Sequence, residues 1–295
     1  MGSPSRILSP FKLKPGIAGP VFMIGAALLF TFMSVLVKLM PQHYTVWHLG
    51  FIRFLGGLIL ILTLFSGRKN PFRGHNIPLL IFRGCTGSLA FLSVVTAMRI
   101  LPLSTASVLF YAYPVFAAFF GFIIYREGIT AGQIVCMAAL VGGVAVLFDF
   151  ELTGSVYGQI MAVAGAFFAG LTVTLIRSLR TKNGVVVIYL YFCTAGTLVT
   201  AVPCLADPVI PATPLEWGMI LGIVVSSLAA QLMMNQGFYF CRGFEGGVYM
   251  STETVFTAMV GIFLLDDPVS WRFLAGAVLI LGSGLALSRL SSRNP

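Results

Sequence analysis

Ten uninterrupted apolar runs divide this 295-residue chain, at approximately 18–39, 46–65, 78–99, 103–125, 129–148, 154–178, 185–206, 214–239, 246–265 and 270–288. A hydrocarbon core about 30 Å thick needs about 20 apolar residues in helical form to cross it. Each run therefore reads as one transmembrane helix, and the connections between them are too short for a separate soluble domain. Only 9% of residues are charged, against about 25% in a soluble protein whose surface must face water. The first run follows a basic N-terminus but is long, has no small-residue cleavage site and is followed by nine more, so it reads as a span rather than a leader. The expected fold is all-α and integral to the membrane.

The net charge of +9 is a topological signal rather than a nucleic-acid one. With the N-terminus in the cytoplasm, Arg6, Lys12, Lys14, Arg68, Lys69, Arg73, Arg126, Arg177, Arg180, Lys182, Arg242, Arg289 and Arg293 fall inside, which is 13 of the 18 basic residues. Lys38, Arg99 and Arg272 fall outside, with Asp149, Glu151, Asp207, Glu216, Asp266 and Asp267. The positive-inside rule then predicts a multi-pass protein of the cytoplasmic (inner) membrane with both termini cytoplasmic. The basic residues are split among loops and form no single face for nucleic acid. Cys85, Cys136, Cys193, Cys204 and Cys241 are scattered in apolar stretches without metal-ligand spacing and read as free thiols. No cofactor or metal is expected.

An offset of 140 residues pairs Val115 with Val255, Phe116 with Phe256, Ala118 with Ala258, Gly121 with Gly261, Glu127 with Asp267 and Gly142 with Gly282. Five spans per copy is an odd number, so the second copy enters from the opposite side. The chain is thus expected to hold two inverted five-helix repeats, 1–150 and 151–295, an architecture that presents two related gates to two compartments.

The stretch 84–147 resembles the core of an EamA-type domain, in a small-residue helix ending at Ala97, Leu101-Pro102, Pro114-Val115-Phe116, Glu127 and the pair Gly142-Gly143. The second half is similar but carries Thr254 for Pro114 and Asp267 for Glu127. The resemblance covers nearly the whole chain and implies a ten-helix member of the drug/metabolite transporter superfamily. It also implies that spans five and ten lie at the periphery. There Gly142, Gly143, Gly276, Gly282 and Gly284 allow close helix approach, either within the fold or in a homodimer.

Ionisable groups inside spans are functional candidates by default. Glu253 is the sole acid in a span interior, about 10 Å from the cytoplasmic edge at about 1.5 Å per residue. It is a candidate counter-charge for an amine, or a proton-coupled carboxyl. Ser227, Gln231 and Asn235 form a polar stripe on span eight, and Tyr249 shares the Glu253 face. Tyr113, the repeat partner of Glu253, has Phe110 one turn before it. Such a ring of amides and aromatics suits a cation or an amino group, although the same residues also serve as interhelical contacts. Arg53 is a candidate for a substrate carboxylate or a gate, whereas Arg83 reads as snorkelling to the inner interface. His48 and Trp47 read as interface anchors. Pro114 removes a hydrogen bond mid-helix and marks a hinge or a plain kink.

Enzyme signatures are absent: there is no HExxH helix, G-x-S-x-G elbow, P-loop or intramembrane aspartate pair. The reading is a secondary transporter that moves a small polar metabolite, an amino acid or amine-bearing compound, by alternating access. An organic-cation transporter remains open beside it, as does a membrane-embedded enzyme acting on lipid-like substrates.

Overall fold

The computed structural model describes residues 15–64, 72–126, 130–147, 155–240 and 243–291. The N-terminal basic residues Arg6, Lys12 and Lys14, loop residues Arg68, Lys69, Glu127, Asp149 and Glu151, and Cys241, Arg242 and Arg293 lie outside these ranges. Every regular element among the described residues is a helix. In chain order these are α1 (Pro15–Leu39), α2 (Val46–Leu64), α3 (Ile77–Ile100), α4 (Leu103–Phe110), α5 (Tyr113–Tyr125), α6 (Ala131–Leu147), α7 (Val156–Arg180), α8 (Val185–Ala206), α9 (Pro214–Phe240), α10 (Gly243–Leu264) and α11 (Trp271–Ser291).

Seven of the stretches are long and apolar enough to cross a bilayer, taking α4 and α5 together as one. Shorter apolar stretches in α6, α10 and α11 complete ten spans. Outward-facing Leu198, Val202, Phe263 and Val278 are more than two-thirds exposed, a surface that suits lipid and not water.

Helix ends coincide with the chemistry that satisfies terminal backbone groups. At the start of α6, Thr130 and Gln133 cap each other's backbone N–H. At the start of α9, Thr213 accepts from Glu216 N, and the Glu216 carboxylate accepts from Ala212 N at 3.0 Å. The first is a reciprocal capping box; in the second the carboxylate reaches past the N-cap Thr213 to the N–H before it. The Tyr44 hydroxyl, in the α1–α2 turn, also donates to Glu216 at 2.8 Å. Lys38 and Arg99 donate to the carbonyls that close α1 and α3: Lys38 to Met98 and Leu101, and Arg99 to Val37, Met40, Pro41 and Tyr44. Cations at helix C-termini are stabilised by the exposed carbonyls and the dipole. His48 is buried, held by Thr45 and the Asp207 carbonyl. It joins two loops and is not an interface anchor, because its ring is consumed by those contacts.

The helix pairings are symmetric under exchange of the two sets of five spans. α1 lies along α9 and α10, while α7 lies along α3 and α4–α5. α2 pairs with α8, and α6 with α11. Because each set has five spans, matched helices run in opposite directions. The fold is all-α, with ten membrane spans in two inverted five-helix repeats. Spans five and ten pack on one another within a single chain: a Cβ at Gly143 would meet Leu279 Cβ at 2.8 Å, whereas Gly142 and Gly282 have nothing within 4 Å.

Candidate functional site

Span four is not one kinked helix. α4 ends at Phe110, Tyr111 and Ala112 form a turn, and α5 begins with Pro114 in its first turn. Pro114 therefore occupies a position where its missing N–H is tolerated, and the expectation of a mid-helix proline is corrected. Since proline has no N–H, the carbonyl of Phe110 has no helical donor four residues on. The break turns Phe110 and Tyr113 toward the middle of the molecule, where both line one cavity.

That cavity has a volume of about 140 Å³ and lies between the two repeats. Its walls come from α1 (Phe30, Met33, Ser34, Val37), α3 (Arg83, Gly87, Ala90, Phe91, Val94, Val95, Met98), α7 (Ala169, Thr172, Val173, Ile176) and single residues or pairs of other helices. Arg53 enters from α2, Phe192 from α8, Gln231 and Met234 from α9, and Met250 and Glu253 from α10. A large apolar wall with a few convergent polar groups is the usual build of a small-molecule site.

Arg53 is 3% and Arg83 1% exposed. Nη1 of Arg53, and Nε and Nη1 of Arg83, have no hydrogen-bond partner among the described residues. Aromatic faces stand in instead. The Arg53 guanidinium carbon is 3.9 Å from the Phe91 ring centroid and 5.4 Å from that of Phe192, while that of Arg83 is 4.7 Å from Phe192. Phe54 fixes both rings edge-on, at 5.4 Å from Phe91 and 5.1 Å from Phe192. This packing requires glycine at 196, where a Cβ would lie 2.4 Å from the Phe54 ring. Cation–π attraction is worth about 2 kcal/mol or somewhat more per contact when desolvated, which offsets only part of the loss of hydration of a buried charge.

The sequence-predicted residues divide sharply. Glu253, Gln231, Tyr113, Phe110 and Arg53 share the cavity. Ser227, Asn235 and Tyr249 do not. Ser227 donates to Val224 on its own helix at 3.1 Å. Asn235 is fully buried away from the cavity, with both amide atoms unpartnered among the described residues. Tyr249 packs against the apolar core that α1, α2, α3, α8 and α9 form with Met250. Met250, three residues before Glu253, takes the place on the cavity wall expected of Tyr249.

The model of the EamA-like transporter family matches residues 17–149 and again 156–289. The chain belongs to that family. Pseudopaline exporters CntI from two strains of Pseudomonas aeruginosa are each 29% identical to this EamA-like transporter over 92% of its length and 96% of theirs. Human solute carrier family 35 member G1 is 20% identical, covering 92% of this chain and 78% of its own. A solved crystal structure superposes with a TM-score of 0.66 at 16% identity, covering 94% of this chain and 98% of its own, which shows the fold alone. The protein is a multi-pass membrane transporter and not an enzyme.

The sequence reading missed Arg83 in this EamA-like transporter. Counting depth along span three suggested snorkelling, yet the side chain turns inward because its face is shared with Gly87, Ala90, Phe91 and Val94 at helical spacing. That stripe was the available signal. Thr172, which donates to Thr86 at 2.9 Å, and Ser34 are further polar wall residues that no sequence pattern singled out.

Proposed function

We propose that this EamA-like transporter is a secondary carrier for a small polar metabolite bearing both an amine and a carboxylate, moved across the cytoplasmic membrane by alternating access of units 1–150 and 151–295. Glu253 meets the amine and Arg53 the carboxylate. Both termini lie in the cytoplasm, as the loop charges indicate, and the pseudopaline exporters among the relatives favour export. The observation that carries the reading is that Arg53 and Glu253 open into one cavity without an ion pair within 4 Å among the described residues. Opposite charges held apart across a cavity are complementary to a zwitterion rather than to each other. An organic cation would meet two guanidiniums in the same space.

The test is flux into proteoliposomes of labelled amino acids, for wild type and Glu253→Gln, at two pH values. The proposal expects normal folding of the variant with flux reduced at least tenfold or stripped of pH dependence; tenfold corresponds to about 1.4 kcal/mol. Near-wild-type flux at both pH values would make Glu253 a packing residue.

A further inference from the structure

We infer that Arg53 and Arg83 together form a two-carboxylate subsite, so that the substrate is an amine-bearing dicarboxylate or polycarboxylate rather than a monocarboxylic amino acid. The inference rests on the proposed amino-carboxylate reading and names the substrate class within it. Both guanidiniums lie on the wall of the same cavity and are more than nine-tenths buried. Each keeps N–H groups with no described partner. Both approach the one Phe192 ring, at 5.4 and 4.7 Å from its centroid, so the two guanidinium carbons stand no more than about 10 Å apart.

Charge balance points the same way. The wall carries two guanidiniums against one carboxyl, Glu253, leaving at least one buried positive charge uncompensated. An uncompensated charge at membrane depth is strongly unfavourable, and rings supply only part of what is missing. Arginine's planar fork takes a carboxylate bidentately, with N···O at about 2.7–2.9 Å. Two carboxylates on one short carbon chain engage both forks and leave an amine free for Glu253. A single carboxylate satisfies one fork and leaves the second bare.

Binding to purified protein by titration calorimetry decides this, with glutamate and 2,6-diaminopimelate as diacid probes, glutamine and lysine as monoacid counterparts, and tetraethylammonium as a cation. The diacids should bind about tenfold or more tighter than the monoacids, the effect of one further charged hydrogen-bonding pair. Arg83→Gln should abolish that preference, bringing the affinities for diacid and monoacid within about threefold of each other. Should Arg83→Gln not fold, Arg83→Lys retains charge without the fork and should lose most of the preference. Equal affinity for diacids and monoacids in wild type, or an undiminished preference in Arg83→Lys, overturns the two-carboxylate subsite and leaves the amino-carboxylate reading standing. Binding of tetraethylammonium with no binding of any amino acid overturns both.

Discussion

Gly170 sits where α7 crosses the first turns of α5, and its replacement by alanine is the sharpest test of how the cavity wall is held. A Cβ at this position would lie 2.5 Å from Phe116 Cβ, 2.7 Å from Ala117 N and 2.8 Å from Tyr113 O. Carbon atoms in contact prefer about 3.5–4.0 Å, so the added methyl overlaps by about 1 Å. The opposing atoms are backbone or Cβ, and no rotamer change relieves them. The two helices must separate, which also loosens the Phe167 ring from Phe116 and Phe120, now at 5.5 and 5.1 Å. Overpacking of this kind costs about 1–3 kcal/mol and each weakened aromatic pair about 0.5–1.5 kcal/mol. A destabilisation of about 2–4 kcal/mol is expected, measured as unfolding in one detergent against wild type. Gly142→Ala is the control, since nothing lies within 4 Å of the added carbon, and it should be as stable as wild type or up to about 1 kcal/mol more stable. Equal stability of Gly170→Ala and Gly142→Ala would refute the close α5–α7 crossing, and with it the position assigned to Tyr113.

Two further expectations concern the loops. Reporter tags in the 180–184 loop should be cytoplasmic and tags in the 207–213 loop external; both on one side would contradict the ten-span topology. Tyr44 is pushed up to about 12 by burial first and then by its hydrogen bond to Glu216. Its neutral form is thus favoured in the fold, and stability present below about pH 10 should be lost as pH rises toward 12. Tyr44→Phe should be less stable at pH 8, by about 1–3 kcal/mol for the lost bond to a carboxylate, and should show a shallower loss between pH 10 and 12. An identical alkaline profile in the variant would assign that loss to another group.

The spans were legible because lipid imposes a length on each apolar run, and turn residues such as Asn76, Thr130, Ser155 and Thr213 punctuate them. Azimuth was not. Depth along a helix follows from counting residues, but which side of it faces the centre depends on the partner helices. Of the stripe on span eight, Gln231 shares the cavity with Glu253, whereas Asn235, one turn further on, is turned away from it. Arg83 was misjudged for the same reason: both its depth and the length of its side chain permit snorkelling, and only the packing of α3 against α7 and α8 forbids it. Pro114 was ambiguous in another way, since a proline at the start of a helix and one inside it look alike without the turn at Tyr111 and Ala112.

The central claim is that the cavity between the repeats, with Arg53, Arg83 and Glu253 on its wall, is where substrate binds. A structure determined with a bound amine-bearing carboxylate tests it most directly. The account predicts ligand inside this cavity, with carboxylate oxygens about 2.7–2.9 Å from guanidinium nitrogens of Arg53 or Arg83 and its amine on Glu253. Ligand seated outside the cavity, or within it but touching none of these three side chains, would contradict the account.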